Sequence, residues 1–128
     1  MKTRVKALTL AMLAVSVSTL LATVASAQQL AGTYRISEGD EIVTLTYSGT
    51  TIGGSEIYGL TCNGVFTSST GTLTYNPGTN GISVNVTPVR NTLGLALWGN
   101  GWGQRGFGRT LTIQGLTLDN IRRTLHFQ

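Results

Sequence analysis

Residues 97–109, LWGNGWGQRGFGR, hold the densest set of chemically capable side chains in this chain. Within them Gly101-Trp102-Gly103-Gln104-Arg105-Gly106 matches G-x-G-x-x-G, the loop whose amides cradle a dinucleotide pyrophosphate. That chemistry requires a helix directly after the glycines. Here Gly106-Phe107-Gly108-Arg109 runs into TLTI, an alternating strand pattern, so the phosphate-loop reading is set aside. Two readings remain. Trp98, Trp102 and Phe107, interleaved with Arg105 and Arg109, can form a flat, partly cationic surface for a sugar ring, an anionic glycan or a partner's acidic loop. Alternatively the glycines make a hairpin tip over residues 99–106, with Trp98 and Phe107 capping one end of a core. Trp102, between two glycines, has no evident core seat.

The remaining reactive residues offer little catalysis. His126 is the single histidine and reads as a solvated strand residue near the C-terminus. Cys62 is the single cysteine, so neither a Zn set nor an intrachain disulfide can be assembled, and it reads as a small buried hydrophobe. G-x-S-x-G is absent. Ser37-Glu38-Gly39-Asp40-Glu41 gathers three carboxylates, but the spacing fits neither a calcium loop nor a supported glycosidase pair, and it reads as a solvated turn. The sequence therefore predicts no enzyme, no cofactor and no metal.

The elements that must position these residues begin after a leader. Lys2, Arg4 and Lys6 precede an apolar run that ends Ala25-Ser26-Ala27, the three parts of a secretory signal peptide over residues 1–27. The mature part, 28–128, is predicted to be one domain, exported to the periplasm or the extracellular space. It carries six arginines against five acids, a net charge of +1, so no nucleic-acid affinity is indicated. Acids dominate its first half and arginines its second, a pattern expected from strands that pair and neutralise each other. All 17 glycines lie in it, and TLTY occurs at 44–47 and 72–75, with TLTI at 110–113 and TLHF at 124–127. Large apolar side chains at every second residue mark a sheet with one face in a core. Strands are predicted near 32–37, 41–48, 56–61, 64–68, 71–76, 81–87, 93–98, 107–114 and 121–127, with Asn76-Pro77-Gly78 turning the clearest hairpin. Turn signals every 8–14 residues and no helical runs give an all-β antiparallel meander, closed as a β-barrel or folded as a sandwich.

Leu30-Ala31-Gly32-Thr33-Tyr34 resembles the Gly-x-aromatic opening of calycin barrels: lipocalins, avidins and barrel-shaped bacterial protease inhibitors. The resemblance implies a β-barrel in which a late arginine, Arg122 or Arg123, lies over the Tyr34 ring. Tyr34 stands where these barrels usually carry tryptophan. Together these readings predict an exported, non-enzymatic β-barrel that binds a small ligand, glycan or protein partner through one open end. Trp98, Trp102, Arg105, Phe107 and Arg109 are its expected contact set. An inhibitor or immunity-type module docking on a hydrolase is the alternative. An outer-membrane barrel would need eight strands of about 9–11 residues, leaving almost nothing for turns. No membrane span is expected after cleavage. If Tyr34, Tyr47 and Tyr75 fill the interior, the outside of the barrel inherits the binding role.

Overall fold

The computed structural model describes residues 30–128, so the predicted leader lies outside the described residues. Eight strands follow one another: β1 (Gly32–Arg35), β2 (Ile42–Thr50), β3 (Glu56–Asn63), β4 (Thr67–Asn76), β5 (Gly81–Asn91), β6 (Gly99–Arg105), β7 (Leu111–Leu118) and β8 (Ile121–Phe127). Each pairs antiparallel with the next in a single curled sheet. The two edge strands then meet. Ile36 bridges Phe127, Arg35 and Gln128 exchange backbone hydrogen bonds of 2.8 and 3.0 Å, and the Ser37 N–H donates to the His126 carbonyl at 2.9 Å. The predicted all-β barrel is thus the observed architecture, and the sandwich is not.

Alternation decides what lies inside. Leu73 faces Val84 and Tyr75 faces Ile82 across the β4–β5 hairpin, and all four are buried. Val43, Leu45, Leu60, Leu111, Ile113, Leu125 and Phe127 complete the same interior from the other strands. Fully burying each such side chain contributes about 1.5–3 kcal/mol. Tyrosines fill the remaining space: Tyr34, Tyr58 and Tyr75 are buried, while Tyr47 is only partly so. Their hydroxyls are satisfied locally. Tyr34 donates to the Leu30 carbonyl at 2.6 Å, Tyr58 to Glu56 Oε1 at 2.7 Å and Tyr75 to Asn80 Oδ1 at 2.9 Å. Eight strands enclose a space just wide enough for side chains, and this one is occupied.

Glycine is where the predicted elements and the observed ones part. Residues 99–105 of the expected hairpin tip form strand β6, and the expected strand 93–98 is overlapped at its start by a 3-10 turn at Thr92–Gly94 in which Leu93 and Gly94 have φ of 66° and 70°. Likewise the expected strands 64–68 and 71–76 join into β4, with Gly71 inside it. The cause is close strand approach. A Cβ on Gly71 would sit 2.0 Å from the Asn85 carbonyl oxygen, and one on Gly103 would sit 1.8 Å from that of Thr112. These glycines mark tight corners of the barrel wall rather than chain reversals.

Gly103→Ala therefore forces backbone apart, and urea denaturation should show it less stable by about 1–3 kcal/mol or more. Gly49→Ala, whose Cβ meets nothing within 4 Å, should be neutral or stabilising by up to about 1 kcal/mol.

Candidate functional site

β6 reads Gly99, Gly101 and Gly103 inward and Asn100, Trp102 and Gln104 outward, because Gly101 opposes buried Val84 and Trp102 opposes exposed Ser83. Trp98 continues the outward row, bridging Thr117 of β7. The inward glycines leave room for Ile113 and Leu116, each 2.9 Å from where a Gly101 Cβ would lie. So the bare inner side of β6 and its aromatic outer side are one pattern.

Of the five expected contact residues, Trp102 and Arg105 line one cleft, and Trp98, Phe107 and Arg109 lie outside its lining. Trp98 and Trp102 stand on the outer wall, 44% and 49% exposed. Trp102 lies across Gly115, whose φ of 95° and missing Cβ admit the ring; an added Cβ would be 2.8 Å from Trp102 Cζ3. The Arg122 guanidinium sits 6.0 Å from the Trp102 ring centroid. Arg105 and Arg109 belong to one end of the barrel. Arg105 Nε donates to the Gly108 carbonyl at 2.6 Å, and its guanidinium lies 6.0 Å from the Tyr75 ring centroid. The Arg109 guanidinium lies 4.7 Å over Tyr34. The cation over Tyr34 is therefore Arg109 of the β6–β7 turn; Arg122 serves Trp102, and Arg123 Nη2 donates to the Leu118 carbonyl at 3.1 Å. Phe107 is 98% exposed at the turn's tip and, like Trp98, caps no core.

Beside Trp102 the outer wall forms an open cleft of about 380 Å³, lined by Gln104, Arg105, Thr112, Gln114 and Thr124 as well as the indole. Apart from the Arg105 guanidinium these are neutral amides and hydroxyls, able to donate and accept hydrogen bonds beside an aromatic ring. Gln104, Gln114 and Thr124 were not singled out in the sequence. The signal for Gln114 and Thr124 was present in the alternation TLTIQ and RTLHF, whose polar positions face outward with Trp102.

Of the other reactive groups, His126 lies opposite Thr112 of the cleft and Cys62 lies on β3. Glu38 is not a solvated turn residue: its Oε1 accepts from the His126 N–H at 2.8 Å, and its Oε2 lies 2.5 Å from His126 Nδ1. Burial pushes the Glu38 carboxyl up, but the His126 hydrogen bonds outweigh it and hold the group below the ordinary carboxylate range. This is the only ion pair among the described residues, so acids and arginines do not neutralise each other strand by strand as expected. Cys62 is buried and free, and burial, then the Glu41 charge, pushes its thiol up to about 12. No group of three or more His, Cys, Asp or Glu among the described residues is arranged to hold a metal ion. Compared with known protein families, curated proteins and solved structures, the chain matches none.

Two outcomes follow. Cys62 should resist a disulfide reagent such as DTNB at pH 8 in the native protein and react fully in denaturant. Because the folded Glu38 pKa is depressed, its stabilisation is present above the ordinary value of 4.5 and is lost as pH falls through the folded value. Glu38→Gln should thus destabilise at pH 7 by under about 1 kcal/mol, the pair being near the surface. At pH 3 wild type and variant should differ less in urea melts.

Proposed function

We propose that the mature chain is an exported, non-enzymatic binding module that holds a glycan across the outer wall of β6, β7 and β8. The observation that carries this is the outward row Asn100, Trp102, Gln104 on β6, edged by the cleft, with Trp98 just ahead of the strand in its bridge to Thr117. Trp98 and Trp102 can each seat a sugar ring. Apolar ring faces stack on indole, while sugar hydroxyls meet the Gln and Thr side chains. Arg122 beside Trp102 adds preference for a uronate or other acidic sugar. The filled interior supports placing the ligand outside. Thr44, Thr61, Thr70 and Thr87 align across the outer face of four strands, a polar wall that argues against a lipid-embedded barrel, whose outward band is apolar.

A second reading rests on Phe107. Its turn is braced by the Thr110 hydroxyl, which donates to the Phe107 carbonyl at 2.8 Å, and by Arg105. A fixed tip with one exposed aromatic suits an inhibitor that docks on a hydrolase.

Affinity electrophoresis in soluble neutral and uronate-containing polysaccharides separates the two. Trp102→Ala should weaken retardation by about tenfold or more, and Trp102→Phe should restore part of it, as expected for loss of an aromatic anchor. Phe107→Ala should change nothing. Retention by no polysaccharide, or equal retention of wild type and Trp102→Ala, would contradict the glycan reading.

A further inference from the structure

The end of the barrel opposite Arg105 and Arg109 carries a second cavity, about 370 Å³ in volume. It is formed by the β1–β2 turn, the β3–β4 turn, the β5–β6 link and the β7–β8 turn. Its acids are Glu38, Asp40, Glu41 and Asp119; its apolar lining is Val65, Phe66 and Leu95. Glu41 sets it apart from an ordinary acidic rim. This side chain, expected in a solvated turn, is only 9% exposed, and its Oε2 has no hydrogen-bond partner.

The chain makes room for this carboxylate at Gly39, where a Cβ would lie 2.1 Å from Glu41 Oε2; Gly64 borders the side chain, and a Cβ there would be in ordinary contact with Oε1 at 3.8 Å. Both glycines line the cavity. A buried carboxylate with one oxygen unpaired is costly to a small fold. Burial first, with the Asp119 and Asp40 charges, outweighs backbone hydrogen bonds from Glu41 and Asp40 and raises its pKa above the ordinary 4.5. Among the described residues no cation forms an ion pair with it: Arg35, Arg90 and Arg122 are exposed, and Arg123 donates through Nη2 to the Leu118 carbonyl while its own buried Nε has no partner.

We propose that this cavity is a binding site for an ammonium or guanidinium group on a short apolar stem, with Glu41 as its counter-charge. The cationic head fits the unmet oxygen and the surrounding acids, and charge-assisted hydrogen bonds of this kind are about twice as strong as neutral ones. The stem fits the apolar lining of Val65, Phe66 and Leu95. An organic cation suits this lining better than a metal ion, for which the carboxylates are not gathered. Such a group reaches the site as a free amine or as an arginine or lysine side chain of a partner. The site is separate from the Trp102 wall and stands or falls without it.

The test is an NMR titration at pH 7 with n-butylguanidinium and with acetyl-Gly-Arg-Gly-amide, against n-butanol as the neutral control. Both cations should shift the amides of residues 38–41, 64–66 and 119, and n-butanol should not. Glu41→Gln should weaken binding by about tenfold or more. The variant should fold, with a melting temperature higher by several degrees, because an uncompensated buried charge has been removed. Trp102→Ala should bind both cations as wild type does. Tighter binding of the peptide assigns the site to a partner's side chain, and equal or tighter binding of n-butylguanidinium assigns it to a free cation. Three results would each overturn the proposal: neither cation binds, Glu41→Gln binds unchanged, or a double-mutant cycle couples Glu41 to Arg123 as a pre-existing pair.

Discussion

Closing a meander of eight short strands leaves each strand one dry side and one wet side, with a shared interior that has to be filled. That constraint governs the molecule. Leu30 is buried inside, its N–H donating to the Tyr58 hydroxyl at 3.4 Å, and three tyrosines fill space that aliphatic side chains leave open. Glu56 can be buried because the Tyr58 hydroxyl answers it. Burial first, then the Glu56 carboxylate, in turn pushes the Tyr58 phenol up, which keeps it a hydrogen-bond donor. The closure itself falls to Arg35, Ile36 and Ser37 against residues 126–128, with Glu38 and His126 clamping the same seam from outside.

The same constraint moves binding to the exterior. A filled interior has no space for a ligand, so recognition must use what faces water. β6 is where the two sides differ most, glycines inward and tryptophans, Asn and Gln outward. Its inner bareness lets β5 and β7 approach, and its outer aromatics cover the sheet: Trp102 shields Gly115, an arrangement that stabilises glycine-bearing sheet surface. The two ends of the barrel are chemically opposite. One is capped by Arg105 and Arg109 lying over tyrosine rings, and the other presents Glu41 and its neighbouring acids.

Much of this was readable in the residues. The period-2 pattern of GTLTYNPGTNGISVNV placed Leu73, Tyr75, Ile82, Val84 and Val86 inside, and β8 occupies residues 121–127 as expected. What misled was treating glycine mainly as a turn former. Gly71, Gly101 and Gly103 sit within strands because neighbouring backbone or core side chains come too near for a Cβ, a distance no single strand reveals. With residues 99–106 read as a tip, Arg105, Phe107 and Arg109 join Trp98 and Trp102, whereas in the fold Arg105 alone of the other four shares a cleft with Trp102. Glu41 was missed for a related reason. Its burial depends on Gly39, where a Cβ would meet Oε2, and on the β3–β4 and β7–β8 turns that the fold brings beside it.

The claim beneath all of this is that the sheet closes and its interior is dry. Amide hydrogen exchange at the seam tests it most directly. The Arg35, Ser37 and Gln128 amides should be protected from exchange, well above the level of the exposed turn at residues 52–54. If those three exchange like unstructured chain while β4 and β5 stay protected, the barrel is open and the case for an exterior binding surface fails with it.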